Sequence, residues 1–185
     1  MEHHSLALII AVSALAVFIG TRGLLPVLTR RAILDLPNER SSHETPTPKG
    51  GGLILVPVIL LSWMVIGVQQ EFPPFLIWGL SGAALALAAL SWMDDLKGLS
   101  PAVRLLIQIA GVVFVLALQP HTGLYFQGLL PPLVDTFIAG VIWVWFINLF
   151  NFMDGIDGIT GVESLILGVG VFLIGGEAAL LGLII

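Results

Sequence analysis

The sequence has no cysteine and very little charge: Asp, Glu, Lys and Arg together make up 10% of its 185 residues. The first absence excludes disulfides, thiolate chemistry and cysteine-ligated metals, and leaves the redox compartment open. The second excludes an ordinary soluble domain, in which roughly a quarter of the residues are charged. Heptads, low-complexity tracts and a convincing internal repeat are also lacking. What fills the chain is hydrocarbon. Apolar residues reach 57% and the mean hydropathy is +1.05, which are the values of an integral membrane protein. No Lys or Arg precedes the first apolar run within Met1–Ser5. A cleaved signal peptide is therefore not expected, and the run reads as a retained helix.

Five apolar runs follow one another: about Leu6 to Leu28, Gly51–Val68, Phe75–Met93, Ala102–Leu118 and Leu133–Ile147. Each approaches the roughly 20 residues that cross a bilayer core of about 30 Å, the fifth being short. A sixth, Val162–Ile174, meets Gly175-Gly176-Glu177 before more apolar residues run to Ile185. One long helix there would bury Glu177, which is costly. The expectation is a hairpin that begins a seventh helix, in a chain that reads as a fragment. All seven Lys and Arg lie in or beside two connections, Arg22–Lys49 and Lys97–Arg104, and the loops Gln69–Pro74 and Gln119–Pro132 have none. The positive-inside rule then puts the N-terminus outside and both basic connections in the cytoplasm. The expected fold is an all-α, polytopic helix bundle in the membrane, of about six transmembrane helices plus the start of a seventh, forming a single domain over 1–185.

Polar residues gather in three clusters, all assigned to the cytoplasmic face. Asn148–Gly161 reads Asn-Leu-Phe-Asn-Phe-Met-Asp-Gly-Ile-Asp-Gly-Ile-Thr-Gly. Asp154 and Asp157 are three apart and share a face on a helix, while the glycines allow close approach to the backbone. Oxygen ligands of this kind suit a hard cation such as Mg2+; a lone Asp-Gly would read as a turn. The second cluster is Asp94-Asp95-Leu-Lys97-Gly98-Leu-Ser100. Neighbours on a helix point about 100° apart, so at most one of the two carboxylates projects squarely into a site. Ser100 and Pro101 read as the N-cap and first residue of the next helix.

The third cluster runs from Asp35 through Arg40 and His43 to Pro48-Lys49-Gly50-Gly51-Gly52. Two readings stand for it. The glycines, with Lys49 and a bidentate Arg40, form an anion nest at a helix N-terminus; or they are a flexible lead-in to a helix whose basic residues only set topology. His43 taken alone reads as a solvated side chain. Acids for a cation opposite bases for phosphate make a diphosphate site at the bilayer surface. There, phosphoryl transfer needs mainly positioning and charge stabilisation.

At these residues the chain resembles the polyprenyl-phosphate N-acetylhexosamine-1-phosphate transferases, the bacterial undecaprenyl-phosphate enzymes of the glycosyl transferase family 4 type. The resemblance is carried by Asn148-x-x-Asn151-x-x-Asp154-Gly-x-Asp157-Gly and by Asp94-Asp95. Asp35-x-Pro37-x-x-Arg40-x-x-His43 with Pro48-x-x-Gly51-Gly52 completes it, so that nearly all of 35–161 is covered. The wording Asn-Phe-Met-Asp-Gly-Ile-Asp-Gly, within Asn148–Gly161, is closer to the O-antigen-initiating branch than to the peptidoglycan branch.

The resemblance implies transfer of a sugar-1-phosphate from a UDP-N-acetylhexosamine to undecaprenyl phosphate, with release of UMP. It implies Mg2+ as cofactor, Mn2+ being the alternative, and a multi-pass protein of the bacterial inner membrane with its site facing the cytoplasm. By the same resemblance Asp94 and Asp95 serve acceptor activation and Asp95 also metal coordination, with Asp154 and Asp157 on the metal. Asn148, Asn151, Gly51, Gly52, Arg40 and His43 join substrate binding. Lys49 is added from charge and glycine context alone.

Members of the family usually have ten or eleven membrane helices, with a further metal-binding aspartate and a histidine-bearing loop later in the chain. This sequence is expected to be the N-terminal portion of that fold, completed by a C-terminal half or acting in a homodimer. No nucleic-acid partner is expected. A cation- or proton-coupled transporter is the competing class, since intramembrane acids are its signature, although transporter sites lie near the midplane. An inactive truncated paralogue that needs a partner is the third reading.

Overall fold

The computed structural model describes residues 3–35, 45–118, 124–153 and 158–184. Six helices account for nearly all of them: α1 (His3–Arg30), α2 (Gly52–Gln69), α3 (Pro74–Lys97), α4 (Pro101–Leu118), α5 (Pro132–Met153) and α6 (Ile159–Ile184). Two short strands, β1 (Leu34–Asp35) and β2 (Thr47–Pro48), pair between α1 and α2. Helices α1 to α5 are each long and apolar enough to cross a membrane, as expected for a multi-pass protein. Hydrocarbon offers backbone N–H and C=O groups no partner, so a spanning segment must satisfy its own by forming a helix.

Residues 1–35 and 48–144 form one compact unit, and residues 36–47 and 145–185 a second. In the first unit α1 packs on α2, α2 on α3 and α3 on α4. The connections Gln70–Pro73 and Gly98–Ser100 are too short for anything but antiparallel neighbours. Small residues bring these helices close, as expected where lipid supplies no hydrophobic drive. A methyl group on Gly20 would sit 2.6 Å from Ile54 Cγ2, and one on Gly79 would strike Leu118. A polar contact joins α1 to α2 as well, where the Ser13 and Ser62 hydroxyls lie 2.7 Å apart. Each is also within reach of its own helix, at the Ile9 and Val58 carbonyls. One hydroxyl therefore donates across the seam and the other donates back. Trp63, Ile66, Leu76, Ile77, Val112 and Leu116 are buried, while Phe18, Trp78, Leu106 and Phe137 point outward, as suits side chains facing lipid.

Two boundaries differ from expectation. Helix α5 runs on to Met153 rather than stopping near Ile147, so it is not short and carries Asn148 and Asn151 in its last turns. Helix α6 is unbroken through Gly175-Gly176-Glu177, and the expected hairpin is not formed. Glycine in a helix interior costs only about 1 kcal/mol relative to alanine. A turn at that point would instead free several backbone groups in an apolar setting.

The end of the first unit that holds the α2–α3 turn also holds residues 124–131, which are tied down by Asp135. That carboxylate, in the first turn of α5, is 0% exposed. Its two oxygens accept the N–H groups of Tyr125 (2.8 Å) and Phe126 (2.9 Å), and its own N–H donates to the Pro131 carbonyl at 2.9 Å. Partial burial, and then the Asp135 charge, push the Tyr125 phenol above its usual value of 10.0. Asp135→Asn leaves one backbone N–H facing an amide NH2, so the bundle should lose roughly 2 kcal/mol in detergent unfolding. The raised phenol favours the folded state while protonated. Stability should therefore fall as pH rises past about 10, and Tyr125→Phe should remove that part of the alkaline loss.

Candidate active site at the foot of α3

Helix α3 does not stop at the paired aspartates. It continues to Lys97 and ends at Gly98 in the left-handed region (φ 63°), whose N–H donates to the Asp94 carbonyl. Glycine takes that conformation without a steric penalty, and it closes helices for that reason. The chain turns at once into α4, with Pro101 as first residue and the Ser100 hydroxyl accepting the Val103 N–H at 3.4 Å. The expected cap is therefore present.

This turn separates the two aspartates. Asp94 points into it, where Oδ1 accepts the Leu99 N–H at 2.6 Å and Oδ2 pairs with Arg104 Nη1 at 3.0 Å. One carboxylate thereby links the last turn of α3, the turn itself and the first turn of α4. Its side chain keeps 21% of its exposure, and that of Arg104 37%. Asp95, one residue on, is solvent-exposed. Sequence reasoning treated Arg104 only as a topology signal. An Asp–Arg pair ten residues apart across a turn follows no helical period, so its spacing gave no cue.

The lead-in to α2 lies against the same end of α3. Gly50 has φ 113°, and a methyl group there would sit 2.7 Å from Trp92 Cζ3 and 3.5 Å from Leu28 Cδ2. Trp92 is two residues before Asp94, so this corner of the first unit joins the glycine-rich stretch to the end of α3 that carries the aspartate pair, with Asp94 itself about 200° round the helix from Trp92. Gly51 and Gly52 are exposed, with open space where a side chain would be. Lys49 is not aimed into open solvent: its Nζ lies 2.9 Å from Asp35 Oδ1.

The other expected residues belong to the second unit or fall outside the described residues. Asn148 and Asn151 lie three apart near the end of α5, in the second unit, and both are exposed. Arg40, His43, Asp154 and Asp157 lie outside the described residues. Among the described residues no three His, Cys, Asp or Glu side chains gather into a metal site.

The profile of Glycosyl transferase family 4 matches residues 77–185, more than half of the chain. The chain belongs to this family. Both the aspartate pair and the Asn148–Gly161 stretch fall inside the family 4 match. Relatives of two kinds are found. The phospho-N-acetylmuramoyl-pentapeptide-transferase of Picosynechococcus is 32% identical over 183 residues, covering 87% of this chain and 49% of the relative. The probable undecaprenyl-phosphate N-acetylglucosaminyl 1-phosphate transferase of Bacillus subtilis is 29% identical over 170 residues, covering 84% and 44%. The undecaprenyl-phosphate alpha-N-acetylglucosaminyl 1-phosphate transferase of Yersinia pestis is 27% identical over 146 residues, covering 73% and 38%. The chain thus spans half or less of the length of the curated relatives it matches. No solved structure matches it significantly.

The corner makes a direct prediction about the glycines. Gly50→Ala must hold a strained backbone angle and displace a tryptophan ring, and should cost about 1–3 kcal/mol in detergent unfolding. Gly51→Ala, at φ −54° with open space around it, should leave stability within about 0.5 kcal/mol of the parent.

Proposed function

We propose that this chain forms part or all of a transferase that moves N-acetylhexosamine-1-phosphate from a UDP-sugar to undecaprenyl phosphate. The acceptor's phosphate oxygen forms a bond to the sugar-bearing phosphorus of the donor. The bond from that phosphorus to the bridging oxygen breaks, and UMP leaves with that oxygen. The observation that carries the reading is the corner joining the Asp94–Asp95 end of α3 to the Lys49–Gly52 lead-in of α2 through Trp92 and Gly50. Family membership and the names of the relatives support the substrate class. The wording of Asn148–Gly161 favours the O-antigen-initiating branch, and with it a role at the start of lipopolysaccharide or other cell-surface polysaccharide synthesis. The basic connections favour a site on the cytoplasmic face of the inner membrane.

In this reading the two aspartates have different work. Asp94 is a positioning residue, since both of its oxygens are engaged by the α3–α4 turn. Asp95, an exposed carboxylate, is assigned to Mg2+ by its motif, as Asp154 and Asp157 are by theirs. When bound, the ion neutralises diphosphate charge. Gly51 and Gly52 offer backbone N–H groups to phosphate. Asn148 and Asn151, sharing a helix face, hold the nucleotide side, and Arg40 and His43 are assigned to the same substrate. The acceptor monoester has a second pKa of about 6, so it is largely a dianion near neutrality and a strong general base is unnecessary.

The test is UMP release by the purified chain in detergent, with undecaprenyl phosphate, UDP-N-acetylglucosamine or another UDP-N-acetylhexosamine, and either Mg2+ or EDTA. Release should require Mg2+, rise with pH through about 6, and fall at least about a hundredfold in Asp95→Asn. No UMP from any donor, with the chain folded, overturns the reading that this chain is by itself the whole transferase and leaves it as one part of the enzyme.

A further inference from the structure

Two bonds close the base of the connection between α1 and α2. The Lys49 N–H donates to the Ile33 carbonyl at 3.0 Å, and Lys49 Nζ lies 2.9 Å from Asp35 Oδ1. The first fixes the backbone at the base, and the second fixes the direction of the lysine side chain. The next residue is Gly50, at φ 113°, where an added methyl group would meet Trp92 and Leu28. Leu28, near the end of α1, is only 4% exposed. A shift at the Asp35–Lys49 base therefore passes through a packed turn to Trp92, one helical half-turn before Asp94.

The position of the charges matters as much as the packing. An ammonium held 2.9 Å from a carboxylate has its field compensated locally and attracts a phosphate less than an unpaired lysine would. The anion-nest reading of Lys49 asks the side chain to leave this partner. Its backbone, by contrast, is already built into the corner.

We infer that Lys49 is a positioning residue: its ion pair with Asp35 clasps the two ends of the α1–α2 connection and so sets the Gly50 turn against Trp92, beside the paired aspartates. The importance of that corner rests on the transferase reading above; the clasp itself rests on the contacts alone. The pair is about one-third exposed on each side, at 35% and 36%. Its effect is therefore that of a screened surface ion pair, modest and sensitive to salt.

Charge reversal separates a clasp from a phosphate ligand. Amide hydrogen exchange of residues 45–53, read by peptide mass spectrometry in detergent, reports the Lys49 N–H bond directly. Asp35→Asn and Lys49→Gln should each speed that exchange by about two- to fivefold, the range of an exposed pair. Asp35→Lys combined with Lys49→Asp should restore slow exchange, and high salt should move the parent chain towards the single variants. UMP release, measured on the same proteins, should drop in both single variants and return in the reversed pair. Unchanged exchange in the single variants overturns the clasp. So does UMP release that is lost in Lys49→Gln and in the reversed pair but kept in Asp35→Asn, the pattern of a lysine touching substrate. If even the parent chain releases no UMP, the reading that this chain alone is the transferase fails, while the exchange rates still decide the clasp.

Discussion

A carboxylate at the end of a membrane helix must find compensation, and the first unit of this protein is arranged around two solutions to that problem. Charges are costly in hydrocarbon, so the spanning segments push theirs to the ends, where water, backbone N–H groups and opposite charges are within reach. At the foot of α3, Asp94 meets the Leu99 N–H and the Arg104 guanidinium. Across the unit, Asp135 meets the N–H groups of Tyr125 and Phe126. In both places the acid does more than survive. It orders the turn that joins two helices, because the donors it recruits belong to the connecting backbone.

That ordering gives the candidate site its shape. Once Arg104 and Leu99 hold Asp94, Asp95 is presented at the surface by the roughly 100° step between helical neighbours. A pair of identical residues is thereby divided into one held inside the turn and one exposed at the surface. The glycine-rich lead-in to α2 reaches the same place for a steric reason. The Trp92 ring occupies the space that a side chain at position 50 would need, so glycine is required there by contact as well as by φ. Gly51 and Gly52 have no such neighbour, and their missing side chains leave backbone open to solvent.

The lysine beside them shows how a residue's type and its placement can point in different directions. Type and neighbours suggested a phosphate ligand. Placement gives Lys49 a carboxylate partner at 2.9 Å and a backbone bond to Ile33, both of which belong to the architecture of the connection. Family 4 membership gives the reaction class of the relatives, but the partners of Lys49 and Asp94 are a matter of geometry.

Much was legible from the order of residues alone. Apolar runs of membrane length dictate helices, because no other local structure satisfies a backbone in lipid. Ser100-Pro101 reads as a cap from first principles, and the three polar motifs lie in the order expected of the family. These are local features, governed by hydrophobicity and by helical spacing. Partner choice between distant residues was not legible. The Asp94–Arg104 and Asp35–Lys49 pairs, the burial of Asp135 and the contact of Gly50 with Trp92 depend on how antiparallel helices stack. The hairpin expected at Gly175-Gly176-Glu177 rested on the cost of burying Glu177 in one long helix; α6 is continuous there all the same, as an apolar setting favours unbroken backbone bonding. Sequence by itself determined the membrane helices and the family of this chain. Only the tertiary structure decided which acids and bases are already spoken for, since an ion pair forms where packing places its members and no local rule of spacing reaches that far.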